Sequence, residues 1–162
     1  MREILFKGKS IKTKKWVYGG FYVGKDRETG IAAPTYIVDQ QTQEHMECYP
    51  ESIFEWTGTK VECSDGIKEL FEGDIIRIET DDDYRPLFMV GFGLGGNPMS
   101  RYFEDENVLI SYMGFVLLPL NNEAWELEKT IGCHDFFGII RNNPTEIIGS
   151  KFDLGIYYYL KY

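Results

Sequence analysis

The chain has 162 residues, which is enough for one domain with a hydrophobic core. Its 17 Lys and Arg against 26 Asp and Glu give a net charge of -9, which argues against a general nucleic-acid binder but leaves room for a local basic patch. Aromatic residues make up 15% of the chain, and together with many β-branched residues they favour strands over helices.

The cysteines and the hydropathy pattern predict a protein of the cytoplasm. Cys48, Cys63 and Cys133 are widely spaced, which indicates reduced thiols and not a disulfide framework. The first ten residues carry charges where a signal peptide would be apolar, and no apolar run approaches the roughly 18 residues needed to span a bilayer. We therefore expect no membrane partner.

The N-terminal 23 residues predict a β-hairpin. The two-residue period of a strand places Trp16 and Tyr18 on one face of the second strand, and Ser10 to Lys15 make the connection. The polar residues 24–34 predict a loop, and the next apolar segment, TYIVDQ, predicts a short strand.

Two turn signals precede the most regular strand of the chain. Pro50, followed by Glu51 and Ser52, suits one turn of helix, and Ser64-Asp65-Gly66 predicts a tight turn.

The stretch KELFEGDIIRIE raises the question of whether Asp74 binds a ligand or starts a strand. Gly73 supplies a backbone position that a residue with a Cβ would resist, and Asp74 can accept hydrogen bonds from nearby amides. Ile76 and Ile78 then point to one face. We interpret the pair as architecture, of a kind common in small SH3-like barrels.

The middle of the chain predicts loops and strands in alternation. Residues 79–86 form an acidic loop, LFMVGFG a strand, and NVLISYMGFVLL a strand pair or a long strand broken at Gly114. Gly91, Gly93 and Gly96 formally match the GxGxxG motif, but Asn97-Pro98 follows at once and disfavours the helix that a dinucleotide loop must open. We interpret this motif as a mobile loop.

The C-terminal third predicts one helix between strands. NNEAWELEKTIG has Asn122 as a cap, Glu123 in the first turn and Gly132 as a stop. FFGIIRN predicts a strand running into an Asn-Asn-Pro turn, and the aromatic tail FDLGIYYYLKY predicts a final strand.

Three segments together resemble the YopX-like family of phage proteins. They are MREILFKGKSIKTKKWVYGG, then IFEWTGTKVECSDGIKELFEGDIIRIE, and FFGIIRNNPTEII near the C-terminus. Trp56 replaces the family's usual tyrosine before Thr57-Gly58, and Thr145 stands where the family has a Glu after Asn143-Pro144. The resemblance implies a β-rich protein of bacteriophages and prophages of Gram-positive bacteria, with no catalytic residues to carry over.

No set of reactive side chains has a spacing that defines a site. A metal site would draw on residues that are scattered or that alternate between faces of a strand, namely His45, Cys48, Cys63, Cys133, His134 and Asp135. A Cys-His nucleophile, such as Cys48 with His134, has no geometry that the sequence specifies. We therefore expect no catalytic residue, no metal and no cofactor.

The lysines of the first hairpin are the candidate contact surface. The side chains in question are Lys7, Lys9, Lys12, Lys14 and Lys15 with Trp16. They suit a phosphate-backbone contact with aromatic stacking, or an edge that discourages unwanted strand addition, or a docking patch for the acidic loop Asp81 to Asp83 of another copy.

These patterns predict a single α+β, mainly β domain over residues 1–162. An SH3-like barrel core near Gly73 to Ile78 would carry additional hairpins and one short helix, with a variable insert at residues 79–107. The function expected is a phage or prophage accessory protein in the cytoplasm of the bacterial host, a non-enzymatic binding or assembly module that forms a homo-oligomer or binds a host or phage protein. The alternatives are nucleic-acid contact through the lysine hairpin and an uncharacterised enzyme.

Overall fold

The computed structural model describes residues 5–24, 33–80, 84–96, 111–131 and 136–155, and these residues are mainly β. The chain divides into two compact units, the N-terminal unit Met1–Trp56 and the C-terminal unit Thr57–Tyr162. The strands are β1 Phe6–Lys9, β2 Trp16–Val23, β3 Thr35–Asp39, β4 His45–Cys48, β5 Phe54–Cys63, β6 Gly66–Phe71, β7 Asp74–Ile78, β8 Leu87–Gly96, β9 Ser111–Pro119 and β10 Thr145–Ser150. The helices are a single 3-10 turn at Pro50–Ser52, α1 Asn122–Ile131 and α2 Phe136–Asn142.

In the N-terminal unit the strands form an antiparallel sheet in the order β4-β3-β2-β1-β5. The predicted hairpin of β1 and β2 is confirmed, with Ser10 to Lys15 as its connection. The Ser10 amide donates to the Lys15 carbonyl over 2.9 Å, and Lys14 takes a φ of 57° inside the turn. The 3-10 turn at Pro50–Ser52 matches the predicted helical turn.

One face of this sheet carries the small core of the N-terminal unit. Val17, Ile37 and Cys48 are buried there, and the partly buried Phe6, Met46 and Ile53 pack against them. Because directly opposite residues of antiparallel strands lie on the same face, these side chains share one side of the sheet and the intervening residues lie on the other.

The C-terminal unit contains a four-stranded antiparallel sheet in the order β10-β7-β8-β9. In the same unit, β5 from Thr57 onward neighbours β6, and Gly66 begins β6 with a φ of 123°, as the predicted turn requires. The core of this unit combines strand and helix residues, namely Val61, Cys63, Leu70, Ile76, Ile78, Phe88, Val90, Phe115, Leu117, Ala124, Ile139 and Ile140.

Gly73 and Asp74 form the turn that starts β7. Gly73 has a φ of 75°, a region that favours glycine, and Asp74 is 1% exposed. The Asp74 carboxylate accepts a hydrogen bond of 2.9 Å from the amide of Phe71. This aspartate therefore acts as an architectural residue that closes the β6–β7 turn.

The finer fold prediction of an SH3-like barrel is not confirmed. The strand β7 lies inside a sheet whose outer strands are β10 and β9, and neither sheet closes within the described ranges. Residues 87–96 of the predicted insert form β8, an inner strand of this sheet, while residues 97–107 lie outside the described residues.

The helix prediction is confirmed for α1, but one strand prediction nearby is wrong. Asn122, the predicted cap, is instead the first residue of the helix, and the capping side chain is Asn121, whose Oδ1 accepts from the Ala124 amide over 2.9 Å. The residues FFGIIRN form helix α2 and not a strand. A short apolar run suits either element, and its partners in the folded chain decide between them.

The glycine-rich motif is also a strand and not the predicted loop. Gly91, Gly93 and Gly96 all lie in β8, and their partners in β9 are Val116, Gly114 and Ser111. The pairing of Gly93 with Gly114 is continuous, so Gly114 does not break β9. In the described part of the chain, no helix is both long and apolar enough to cross a membrane.

Candidate binding surface on the N-terminal sheet

The face of the N-terminal sheet opposite its core is rich in aromatic side chains. Along β2 it presents Trp16, Tyr18, Gly20 and Tyr22 at every second position. The strand pairing places residues of the neighbouring strands on the same side, namely Lys7, Lys9, Tyr36, Val38, His45, Glu47 and Phe54. We call this side of the sheet the aromatic face.

Two lysines of β1 lie against the aromatic rings at one end of the face. The Nζ of Lys7 is 4.9 Å from the ring centroid of Trp16 and 5.7 Å from that of Phe54. The Nζ of Lys9 is 5.1 Å from the Trp16 ring, and the rings of Trp16 and Phe54 are themselves 5.9 Å apart. These distances are those of cation–π contacts, which hold both ammonium groups beside the rings.

The prediction that the hairpin lysines form an exposed surface is therefore wrong for Lys7. This side chain is only 6% exposed, because its strand places it between the aromatic residues of β2 and β5. An aliphatic stem of four carbons packs well against such rings while the ammonium group keeps its contact with them.

The other lysines of the hairpin differ in their contacts with the rest of the chain. Lys14 donates a hydrogen bond to the Tyr49 hydroxyl and lies 4.8 Å from the centre of that ring. Lys12 and Lys15 are exposed in the turn between β1 and β2. Among the lysines of the hairpin, the most exposed ones thus lie in the turn, directly before Trp16.

At the far end of the aromatic face, three side chains form a compact group. The rings of Tyr22 and Tyr36 are stacked with centroids 5.1 Å apart, and His45 approaches Tyr22 edge-on at 5.6 Å. The Tyr22 hydroxyl and the Nδ1 of His45 share a hydrogen bond of 2.8 Å. These contacts fix the orientation of Tyr22, which remains 38% exposed.

Between the two ends lies a position with no side chain. A Cβ built on Gly20 would meet no atom within 4 Å, so the backbone of β2 is open to solvent there. Tyr18 on one side of Gly20 is 42% exposed, and Tyr22 stands on the other side. Since strand residues rise about 3.3 Å each, the two tyrosines are about 13 Å apart along the strand. The result is a shallow slot with a backbone floor and aromatic walls, which we call the Gly20 slot.

The reactive residues considered for metal binding or nucleophilic chemistry are not assembled in the described residues. His45 lies on the aromatic face and Cys48 on the core face, because positions three apart in a strand point to opposite sides. Cys48 is buried, and burial raises the pKa of its thiol, which lowers its thiolate fraction. No group of three or more His, Cys, Asp or Glu within the described ranges could hold a metal ion, and residues 133–135 lie outside them.

The C-terminal unit contains an open depression beside α2. Its volume is about 350 Å³, and it is lined by Glu62, Ile140, Arg141, Asn142, Asn143, Pro144 and Thr145. The side chain of Asn143 donates to the Ile139 carbonyl over 2.9 Å, and the Thr145 hydroxyl donates to the Asn143 carbonyl. These residues of the depression therefore hold the end of the helix and the start of β10.

The comparisons with known proteins give no match, so any functional statement depends on the geometry described above. No protein-family model, no curated protein and no solved structure matches the chain.

The sequence pointed to part of this surface and missed the rest. Lys9, Trp16 and Tyr18 follow from the two-residue period of the hairpin. Tyr36 and His45 belong to the face only through the register of β2, β3 and β4, which pairs Tyr22 with Tyr36 and Val38 with His45. The glycine at position 20 between two tyrosines was the one local signal of an open slot.

Proposed function

We propose that the protein is a non-enzymatic binding or assembly module that forms a homo-oligomer. The observation that carries this proposal is the exposure of large apolar side chains at the end of β2. Phe21 is 38% exposed and Val23 is 53% exposed on one side of the strand, with Tyr22 on the other. A strand that presents apolar side chains to both sides gains from burial against a partner.

The distribution of charge supports self-association as the form this binding takes. The first fifteen residues hold six Lys and Arg against one Glu, whereas residues 57–162 hold nine Lys and Arg against eighteen Asp and Glu. A basic turn in one copy and an acidic unit in another are complementary, and such pairs attract and orient associating proteins. The acidic loop Asp81 to Asp83, considered above as the partner of the lysines, lies outside the described residues.

The turn lysines allow a direct test of this charge complementarity. Sedimentation velocity on the full chain at low and high salt should show a defined oligomer that weakens as salt screens the charges. The double variant Lys12→Glu/Lys15→Glu should weaken it at low salt, because both side chains are exposed and lie in the basic turn.

The double variant Lys60→Glu/Lys68→Glu is the matched control for this experiment. It makes the same total charge change in the C-terminal unit, where it removes surface ion pairs with Glu69 and Asp65 of small expected worth. A parent protein that sediments as a monomer under all conditions would exclude the proposal.

Nucleic-acid contact is the second candidate function. It is favoured by the position of the exposed Lys12 and Lys15 directly before Trp16, the first residue of the aromatic face. Lysine charge beside stacked aromatic rings is the combination that single-stranded nucleic acid requires.

We further propose that the protein belongs to the YopX-like family and comes from a phage or prophage. The three matching segments described above support it, as does the turn at Gly73 and Asp74, which behaves as an architectural element. The SH3-like barrel around Gly73 to Ile78 is part of the same proposal. A crystal structure of the full chain tests it, because a barrel requires the outer strands of that sheet to be joined.

A further inference from the structure

We propose that the Gly20 slot is a stacking site for one base of a single-stranded nucleic acid, with the exposed turn lysines contacting its phosphates. This inference rests on the second candidate function, nucleic-acid contact, and assigns it to a particular place on the sheet. It differs from the expectation drawn from the lysines alone, because its centre is a glycine flanked by tyrosines.

The shape of the slot suits a flat ring. The floor is the bare backbone of Gly20, above which a Cβ would meet no atom within 4 Å. The exposed rings of Tyr18 and Tyr22 bound it along the strand, and the half-buried Val38 lies opposite Gly20 on β3. The space directly above Gly20 is therefore open to a planar ring, and every nucleobase has such a planar face.

One wall of the slot, Tyr22, is held in place before any ligand arrives. Tyr22 is stacked on Tyr36 and hydrogen-bonded to His45, so its ring has little freedom to lose on binding. Preorganised aromatic side chains bind with a smaller entropic cost than mobile ones.

The charges near the slot favour a nucleic acid over an uncharged aromatic ligand. The turn Ser10 to Lys15 contains three lysines and no acidic residue, and Lys12 and Lys15 are exposed there. The ring of Trp16, which directly follows the turn in sequence, faces Lys7 and Lys9, and this adds two ammonium groups to the same end of the face. One acidic residue, Glu47, neighbours this turn, because its carbonyl accepts from the Ile11 amide over 2.9 Å, and the three lysines outnumber it. A chain of phosphates is consequently expected to run from the slot toward the turn.

Two substitutions change the slot while sparing the fold. Gly20→Val fills it with a side chain whose Cβ meets no atom within 4 Å and that suits a strand. Tyr18→Leu removes one wall but keeps an apolar side chain. The matched control is Phe21→Leu, which removes a ring of similar exposure from the opposite face of the same strand.

The test is fluorescence anisotropy of a labelled oligothymidylate with the full chain at low and high salt. We expect binding that weakens with salt, with Gly20→Val and Tyr18→Leu each reducing affinity about fivefold or more and Phe21→Leu leaving it unchanged. Inorganic polyphosphate, which has charge but no bases, should bind less tightly, and thermal melts should show that all three variants fold.

The possible outcomes distinguish the proposed site, the Gly20 slot, from the proposed function, nucleic-acid contact. If the oligonucleotide binds equally well to the parent and to both slot variants, the slot is not the site, although nucleic-acid contact stands. Equal affinity for polyphosphate and the oligonucleotide would show that charge alone drives binding, which also overturns the slot. Absence of binding even at low salt would overturn both proposals. A change in oligomer mass in Gly20→Val, without an effect on nucleic acid, would assign the slot to self-association instead.

Discussion

Asp74 shows how a carboxylate in a conspicuous sequence position becomes a structural residue. The side chain is buried and accepts the amide of Phe71, while the amide of Gly73 donates to the Val90 carbonyl over 2.7 Å. The residue types at this turn were enough to predict its role. A glycine with positive φ, followed by an aspartate that accepts the amide three residues before it, is a local motif that a sequence can indicate, whereas the bond from the Gly73 amide to Val90 depends on the pairing of distant strands.

We expect Asp74→Ala to lower the free energy of unfolding by about 1–3 kcal/mol, because it leaves the Phe71 amide buried without this acceptor. Asp74→Asn retains an acceptor oxygen and should cost less. Urea unfolding followed by circular dichroism measures both. An Asp74→Ala variant as stable as the parent would contradict the architectural role.

The substitutions Gly19→Ala and Gly20→Ala in β2 should have opposite effects on the stability of the protein. A Cβ on Gly19 would lie 1.8 Å from the Val38 carbonyl oxygen, whereas one on Gly20 would meet nothing within 4 Å. Gly19→Ala must therefore displace β3 and should destabilise the protein by about 1–3 kcal/mol or more. Gly20→Ala should be neutral or stabilising by about 0.5–1 kcal/mol, because alanine loses less conformational freedom than glycine in a strand.

Thermal melts of these two variants provide the comparison, with each serving as the control for the other. Equal melting temperatures would show that β2 and β3 do not approach each other as closely as the structure has them.

The elements of this chain differ in how far local sequence determines them. Helix α1 was predictable to within a residue from its polar start, and the β1–β2 hairpin from alternating apolar residues around a lysine-rich turn. Helix α2 and the strand through Gly91 to Gly96 were not. Their conformations depend on partners distant in sequence, namely the core around Ile139 and the pairing with β9. For the same reason, the aromatic face could be predicted along β2 but not across the strands beside it.

The turn between β3 and β4 contains a hydrogen-bonded carboxylate, Asp39, whose contribution to stability depends on pH. The Asp39 carboxylate accepts from the Thr42 amide over 2.8 Å and the Gln41 amide over 2.9 Å. The hydrogen bond from the Thr42 amide, followed by that from Gln41, lowers the pKa of Asp39 although partial burial opposes it. A lowered pKa in the folded state means that this contribution to stability is present above the ordinary aspartate pKa of about 3.9, and is lost as pH falls through the lowered value.

Asp39→Ala should therefore lower the free energy of unfolding at neutral pH, and its difference from the parent should shrink as the pH falls below about 4. Urea unfolding over a series of pH values measures the difference. Glu44→Ala is the control, since Glu44 is an exposed acidic residue of the same connection that does not accept these hydrogen bonds. A difference that is constant with pH would show that Asp39 contributes nothing through its charge.

At the scale of the whole chain, the excess of acidic residues lies in one unit. The N-terminal unit has eight Lys and Arg against eight Asp and Glu, so the entire net charge of -9 belongs to residues 57–162. The basic segment and the exposed apolar end of β2 lie in the N-terminal unit. This distribution supports the proposal of a binding role concentrated in that unit, in the form of self-association, which would use both its charge and its apolar surface.

The central claim is that the exposed apolar side chains of β2 mediate assembly of the full chain. The most direct measurement is the molar mass by light scattering over a concentration series, for the parent and for Phe21→Ser/Val23→Ser, with Ile67→Ser as a control because Ile67 is also exposed but lies in the C-terminal unit. We predict a defined oligomer for the parent and for Ile67→Ser, and dissociation at least about tenfold easier for the double variant. A parent chain that stays monomeric at every concentration, or a double variant that assembles as well as the parent, would contradict the account.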